Sequence, residues 1–543
     1  MTSATEFLSE DINIPEYFNI GTACTEPDIT GHSSEQTAII VDQGLQGVQS
    51  LSYAALAAQS NQFSRALNHL GLKQQDRIML WLPNCIEFPI AFFGALKLGA
   101  IAVPTSTLLT GEEIDYLVKD SASRVLVTTH KLWKRLQNHQ APHHKLEHII
   151  LIDASEALTH KPETTHDFSL VDFKTLIAQQ SAATVQTNTK AGDPAYLVYT
   201  SGTTGYPKGV LHAHRALLGR TPAAKFWFDY QHDDRILHSG KFNWTYVLGT
   251  ALMDPLLLGK TVVVYEGENN AETWPKLIAK HACTIFIGVP TIYRQIVQKT
   301  AFTAKDTPSL KHCMCAGEHL SDEMLTLWKQ RFKLNIYEAI GMSECSYYLS
   351  QHVSRPIRAG SAGFPQPGHH IALLDNNMHP VEDEQEGMLC IGLDDPGLFV
   401  KYWNLPETTQ ASRKENYFLT GDFARRDADG YIWFLGRKDD LINSFGFRIS
   451  PHEIERVIKT HPQISDCVAL EENVGKDKNL VIACVIAKEN QHIDETQLIA
   501  FTETHLASYK VPKKIYVVEN FPRTANGKIL RKQLKQNYSH NVI

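Results

Sequence analysis

The chain has no apolar run that is long enough and free enough of charge to cross a membrane as a helix. Its apolar stretch from Ile78 to Pro104 is broken by Asn84, Glu87, Pro89 and Lys97, and reads as strand–turn–helix–strand. Residues 1–16 carry acids and neither a cationic start nor an apolar centre, so no secretory leader is expected and a cytoplasmic setting is. A basic excess is missing too: 52 Lys and Arg stand against 59 Asp and Glu, a net charge of −7, which excludes a general nucleic-acid binder. No C-x-x-C pair occurs among the nine cysteines, which are odd in number and scattered, as suits a reducing compartment. Cys313-Met-Cys315 sits in an apolar run and reads as buried strand. The histidine pairs His143-His144, His212-Ala-His214 and His369-His370 lack a ligand set for zinc, and i, i+2 positions on a helix do not share a face. Internal repeats, low-complexity tracts and the G-x-x-x-x-G-K-[ST] phosphate loop are all absent.

What is present is the composition of a globular protein, 43% hydrophobic and 20% charged, over 543 residues, or about three to four domain-sized units. Strand-like and helix-like segments alternate from residue 51. A helix over 51–70 is followed by strand 77–81, helix 86–98, strand 100–103, helix 110–120, and strands 124–128 and 149–152. Residues 154–192 read as a polar connection. The alternation resumes with a helix over 212–228, strand 261–265, helix 271–281, strand 284–287 and helix 291–299, and implies parallel α/β units. From about residue 360 short strands and turns take over, at 371–374, 387–391 and 423–435, with an Asp429-Gly430 hairpin turn. Residues 451–543 predict a compact α+β unit with a helix from Pro451, N-capped by Ser450, and then strand, strand, helix and strand.

The chemistry concentrates in Tyr199-Thr200-Ser201-Gly202-Thr203-Thr204-Gly205-Tyr206-Pro207-Lys208-Gly209, which follows the apolar strand Ala195-Tyr-Leu-Val-Tyr199. Glycines let backbone N–H groups approach an anion, hydroxyls donate hydrogen bonds and lysine adds charge, so the run suits a polyphosphate. Four further segments follow in order: Ile340-Gly-Met-Ser-Glu344, Leu419-Thr-Gly-Asp422, Gly436-Arg-Lys-Asp-Asp440 with Gly446-Phe-Arg448, and Pro522-Arg-Thr-Ala-Asn-Gly-Lys528. Together they resemble the acyl-adenylate-forming superfamily of acyl-CoA synthetases, peptide-synthetase adenylation domains and luciferases, over residues 50–535. The closest likeness is to benzoate-CoA and medium-chain acyl-CoA ligases. The resemblance implies a large N-terminal domain (1–436) of two α/β subdomains and a β subdomain, a hinge (437–440), and a small mobile C-terminal α+β lid (441–543).

It also implies two half-reactions: a carboxylate attacks the α-phosphate of ATP to give acyl-AMP and pyrophosphate, and a thiol then takes the acyl group and releases AMP. Carboxylate and triphosphate repel each other, so such a site must supply cations and donors where charge develops. By resemblance, Thr200, Ser201, Gly202, Thr203, Thr204, Gly205 and Lys208 cradle the β- and γ-phosphates, and Glu344 helps hold Mg²⁺, a hard cation that takes oxygen ligands. Ala316, Gly317 and Glu318 line the adenine pocket with Ile340 and Gly341. Ile340 stands where many members place tyrosine, and Ser343 where they place threonine. Asp422 accepts both ribose hydroxyls, Arg437 reaches the ribose or phosphates, Lys528 lies between the acid and the α-phosphate, Asp439 is the hinge, Gly446 lines the pantetheine tunnel, and Arg448 supports nucleotide binding or the thioester state. The acyl pocket is expected from Phe242, Trp244, Tyr246, Leu248, Val289, Ala316, Ala339 and Tyr347, most of them bulky and apolar, as a ring or short chain wants. Trp244 reads equally as simple core. The implied activity is ligation of an aromatic or short- to medium-chain acid to CoA. Two alternatives stay open: loading of a carrier-protein phosphopantetheine arm, and a non-catalytic nucleotide-binding relative.

Overall fold

A computed structural model describes residues 12–26, 33–137, 146–154, 168–200, 207–317, 320–437, 440, 442–444, 447–475, 478–506, 508, 510–523 and 529–539. Local chemistry sets the first elements. The Ser52 hydroxyl accepts the Ala55 N–H at 3.2 Å and starts the helix Tyr53–His69. The helix Glu87–Leu98 stops at Gly99, whose φ of 78° only glycine adopts freely. Thr110 and Glu113 cap each other's backbone at the head of Gly111–Ser121.

Two large sheets follow from the strands between these helices. One has eight strands in the order Lys401–Tyr402, Lys208–Ala213, Pro194–Thr200, Ile101–Pro104, Arg77–Trp81, Val125–Thr128, His148–Leu151, Ser169–Asp172. The other has nine, in the order Phe364–Pro365, Leu349–Ser350, Ile336–Ile340, His312–Ala316, Ile285–Gly288, Arg235–His238, Thr261–Tyr265, Thr37–Asp42, Val48–Ser52. The inner strands are parallel and apolar at nearly every position, because helices cover both faces. One core joins the two sheets: Ile39 and Val41 from one and Ile78 and Leu80 from the other pack with Phe63, Phe88 and Phe92 of the helices between them. A third, five-stranded antiparallel sheet holds Ile371–Leu374, Glu386–Gly392, Tyr417–Arg426, Arg413–Lys414 and Ile432–Arg437.

The C-terminal unit has its own core of Ile442, Ile454, Ile458, Cys467, Val485 and Leu498. Its helix Pro451–Lys459 lies against the three-stranded sheet Ile464–Gly475, Lys478–Ala487, Lys514–Val517. The architecture is thus the one the motifs imply: two α/β subdomains, a β subdomain and a small α+β unit. Among the described residues no helix is long and apolar enough to cross a membrane.

Four local expectations are corrected. Residues 212–228 are not one helix: Lys208–Ala213 is a strand paired antiparallel to Pro194–Thr200, and two four-residue helices follow, Arg215–Leu218 and Ala223–Phe226. The connection 154–192 contains the strand Ser169–Asp172 and the helix Phe173–Ala178. Arg235–His238 is a further strand, central in its sheet. Ser450 does occupy the N-cap of Pro451–Lys459, but its hydroxyl donates to the Leu435 carbonyl and ties the small unit to the strand before it.

Candidate active site

A cleft of about 2360 Å³ lies between the large domain and the C-terminal unit. Its wall includes the carboxyl ends of His312–Ala316 and Ile336–Ile340, and parallel α/β sheets bind ligands at that edge. Thr200, Lys208, Trp244, Tyr246, Ala316, Gly317, Ala339, Ile340, Gly341, Ser343, Glu344, Asp422 and Arg437 all line this one cleft. Residues from six separate sequence segments are therefore brought together.

The loop after Ile336–Ile340 folds back on itself. Met342 and Cys345 exchange backbone hydrogen bonds of 2.9 and 3.2 Å. A Cβ on Gly341 would stand 2.2 Å from the Tyr347 nitrogen, so only glycine closes this turn. The turn presents Glu344, 6% exposed, to Tyr402, whose phenol donates to Oε1 at 2.6 Å. Burial, with the Glu344 carboxylate beside it, pushes the Tyr402 phenol well above its usual range, so it stays a donor. Lys208 Nζ sits 4.2 Å from the centre of the Tyr402 ring. Tyr402 thus links Lys208, expected to face the phosphates, to the acid expected to hold the metal. No sequence motif marks it; the link exists because Lys401–Tyr402 pairs with Lys208–Ala213.

His212 is a second residue the sequence did not single out for this site. Its Nε2–H donates to the Ser343 carbonyl at 2.7 Å, and its ring stacks on Tyr196 at 4.8 Å. Burial holds its pKa down at about 3, so it is neutral and acts as a fixed donor. Asp422, 8% exposed, faces Arg437, whose Nε is 3.2 Å from Oδ1. Thr420 fixes this turn: its hydroxyl donates to the Leu389 carbonyl at 2.6 Å and accepts the Asp422 N–H at 3.0 Å. Arg437 also donates to the Thr420 carbonyl at 3.2 Å and keeps nearly half its side chain exposed. The pair therefore offers an acceptor and a cation side by side.

The apolar end of the cleft is aromatic. Trp244 meets Tyr246 edge-on at 5.5 Å and stands over Gly317, and Trp227 lies 5.2 Å from the Tyr347 ring. Trp244 is only half-buried and lines the cleft, so it is wall as well as packing. Phe242 and Leu248 are placed differently. Phe242 is 1% exposed and stacks on Phe88, Leu248 is fully buried, and both belong to the main core away from the cleft wall. Ser201, Gly202, Thr203, Thr204, Gly205, Glu318, Asp439, Gly446 and Lys528 lie outside the described residues, as do His143 and His144. Arg448 is described only by its backbone, in the strand Phe447–Ile449 that pairs with Ile442–Ser444.

One cluster departs from the sequence reading of the histidines. Cys345, His369 and Asp395 bring potential ligand atoms within 4.8 Å of one another, all buried. The Asp395 carboxylate is already engaged, by His369 Nδ1 at 2.8 Å and the N–H groups of His370 and Gly397 at 3.1 and 2.8 Å. Arg215 donates to the Asp395 carbonyl, and a guanidinium is a poor neighbour for a bound cation. The cluster braces a turn.

Comparison with known proteins agrees with this geometry. The family "AMP-binding enzyme" matches residues 29–403, and "AMP-binding enzyme C-terminal domain" matches 453–528. The chain belongs to the AMP-binding enzyme family. It is 29% identical to the 3-hydroxybenzoate–CoA/4-hydroxybenzoate–CoA ligase of Thauera aromatica, over 97% of this chain and 99% of that one. It is also 29% identical to the mitochondrial acyl-coenzyme A synthetase ACSM3 of Rattus norvegicus, over 97% and 91%. The crystal structure of the anthranilate CoA ligase AuaEII with anthranoyl-AMP superposes with a TM-score of 0.86 at 27% identity, covering 96% of this chain and 98% of that one.

Proposed function

We propose that this protein activates a small aromatic carboxylic acid. The reaction class is that of an AMP-forming acyl/aryl-CoA ligase: ATP adenylates the acid, and CoA then takes the acyl group. The observation that carries the choice of acid is the aromatic end of the cleft. Trp244, Tyr246 and Tyr347 wall it, backed by Trp227, and a flat ring fits between such faces better than a long flexible chain.

The other roles follow from what each side chain offers. Asp422 is assigned to the ribose hydroxyls and Arg437 to the ribose or a phosphate oxygen. Lys208 supplies a cation near the phosphates, and Thr200 opens the hydroxyl-rich loop. The donor set fits Mg²⁺: Glu344 is a hard oxygen donor on the cleft wall, fixed by Tyr402 rather than consumed by a lysine. When bound, that ion neutralises phosphate charge. Ile340 gives the adenine an aliphatic face. Lys528 is assigned to the reacting carboxylate, Gly446 to the thiol path, Arg448 to the nucleotide or thioester state and Asp439 to the hinge, on the resemblance of their motifs. Nine buried free cysteines support the expected reducing, cytoplasmic setting.

The test is ATP–pyrophosphate exchange over benzoate, substituted benzoates, butyrate, octanoate and palmitate. Exchange fastest with an aryl acid supports the proposal, and exchange fastest with an alkanoate refutes it. The hinge assignment has its own test. Asp439→Pro should leave exchange nearly intact and slow CoA thioester formation at least about tenfold. Equal loss of both half-reactions would contradict it.

A further inference from the structure

The two strands that flank the hydroxyl-rich run end as a pair. Tyr199 stands opposite Gly209 and Thr200 opposite Lys208, in antiparallel register. Both sides of this pair are tied to one residue outside it, Asp120. The Tyr199 phenol donates to Asp120 Oδ2 at 2.6 Å. On the other side, Trp403 donates its backbone N–H to the Gly209 carbonyl at 2.8 Å and its indole Nε1–H to the Asp120 carbonyl at 2.9 Å. Asn404 Nδ2 donates to the same carbonyl at 2.8 Å and lies 3.3 Å from Asp120 Oδ1. These contacts close a ring from Asp120 through Tyr199, Gly209 and Trp403 back to Asp120.

Each member of the ring is suited to its place. Asp120 sits in the last turn of Gly111–Ser121, where the helix dipole disfavours an acid, so its carboxylate is there for the contact it makes. Its carbonyl is one of those a helix leaves without an internal partner at this end, and Trp403 and Asn404 supply one. Gly209 gives the ring its room: a Cβ there would stand 2.9 Å from Trp403 Cβ and 3.3 Å from the Tyr199 ring. Asn404 turns the chain at a φ of +53°, a left-handed conformation that asparagine accepts more readily than most residues. Burial, with the Asp120 carboxylate beside it, pushes the Tyr199 phenol well above its usual range, so it stays a donor.

The ring reaches the cleft through its neighbours in sequence. Thr200 follows Tyr199, Lys208 precedes Gly209, and both line the cleft. Tyr402 precedes Trp403, and its phenol donates to Glu344. We propose that Asp120 is a positioning residue for ATP: it fixes the spacing of Thr200 and Lys208, and through Trp403 it holds Tyr402 and Glu344 in register with them. Asp120 does not line the cleft, so it acts only through Tyr199, Trp403 and Asn404. The inference rests on the assignment of Thr200 and Lys208 to the β- and γ-phosphates. Donors and cations held in place beforehand need no ordering when the triphosphate arrives, which strengthens its binding. Loosening the ring therefore weakens ATP and spares AMP, which has neither of those phosphates.

The experiment is equilibrium binding of ATP with Mg²⁺, and of AMP, to the full chain by calorimetry, in wild type, Tyr199→Phe, Asp120→Ala and Lys208→Met. Tyr199→Phe removes a single oxygen, and Asp120→Ala removes the carboxylate while leaving the carbonyl its donors. Each should raise the Kd of ATP about tenfold and leave that of AMP within about twofold. The two changes break the same bond, so the double variant should bind ATP no more weakly than Asp120→Ala alone. A merely structural role would weaken ATP and AMP alike, and that result overturns the proposal. Should Asp120→Ala fail to fold, Tyr199→Phe decides by itself. Lys208→Met tests the assignment beneath the proposal. Selective loss of ATP there, with none in Tyr199→Phe, overturns the role of Asp120 alone; ATP bound as in wild type by Lys208→Met overturns the assignment and the proposal with it.

Discussion

Single side chains set the chemistry of this site through partners far away in sequence. Glu344 is held by Tyr402, Ser343 by His212 and Asp422 by the Thr420 turn. Tyr402→Phe keeps the ring under Lys208 and deletes only the phenol. A hydrogen bond to a charged group is worth about 1.5–3 kcal/mol, so pyrophosphate exchange should need about tenfold more Mg²⁺ or slow by a similar factor. A Mg²⁺ titration of exchange checks this, and an unchanged curve would remove Tyr402 from the site. That Glu344, Asp422 and Lys208 meet in one cleft was legible in the sequence because each sits in a short pattern with a chemical reason. Tyr402 and His212 were not, because contacts between segments far apart in sequence leave no local trace. Phe242 and Leu248 show the opposite failure: a large apolar residue beside a site reads the same whether it lines the chamber or fills the core behind it.

At the level of elements, the parallel strands and their helices followed from hydrophobic period and caps. The strand Lys208–Ala213 did not. Gly-Val-Leu-His-Ala suits a helix start as well as a strand, and only pairing with Pro194–Thr200 decides between them. In the C-terminal unit, helices and strands are clasped by one buried acid. Glu455 accepts the Ala469 N–H at 2.8 Å, pairs with Arg531 at 2.7 Å and faces His452 at 3.3 Å. Burial opposes its ionisation, yet Arg531 and His452 beside it hold its pKa at about 2. Glu455→Gln leaves Arg531 buried without its counter-charge, which should cost this unit about 3–5 kcal/mol. Limited proteolysis should then cleave between residues 451 and 539 well before the large domain is touched. Equal resistance in wild type and variant would contradict the clasp.

Across the whole molecule the buried histidines govern stability towards acid. Burial lowers His212, His214 and His238 to about 3, and His312 and His352 to about 4. In the unfolded chain each regains the ordinary value of about 6.5, so below that pH the unfolded state binds more protons and stability falls with pH. Each such histidine contributes a slope of up to about 1.4 kcal/mol per pH unit between its two values. Denaturation midpoints should therefore be level above pH 7 and fall steadily from about 6.5 towards 5, before most carboxylates protonate. A flat profile from pH 8 to 5 would mean that these rings are charged in the native state.

The proposal that joins site, fold and family is an ATP-dependent ligase that passes an aroyl group to CoA. The deciding measurement is CoA-dependent AMP release with benzoate, the mono-hydroxy- and mono-aminobenzoates, butyrate, octanoate and palmitate, each with ATP and Mg²⁺. An aryl acid should give the highest kcat/KM, and its AMP release should require CoA. A preference for an alkanoate would contradict the choice of acid, and fast pyrophosphate exchange with AMP release unmoved by CoA would contradict the choice of acceptor.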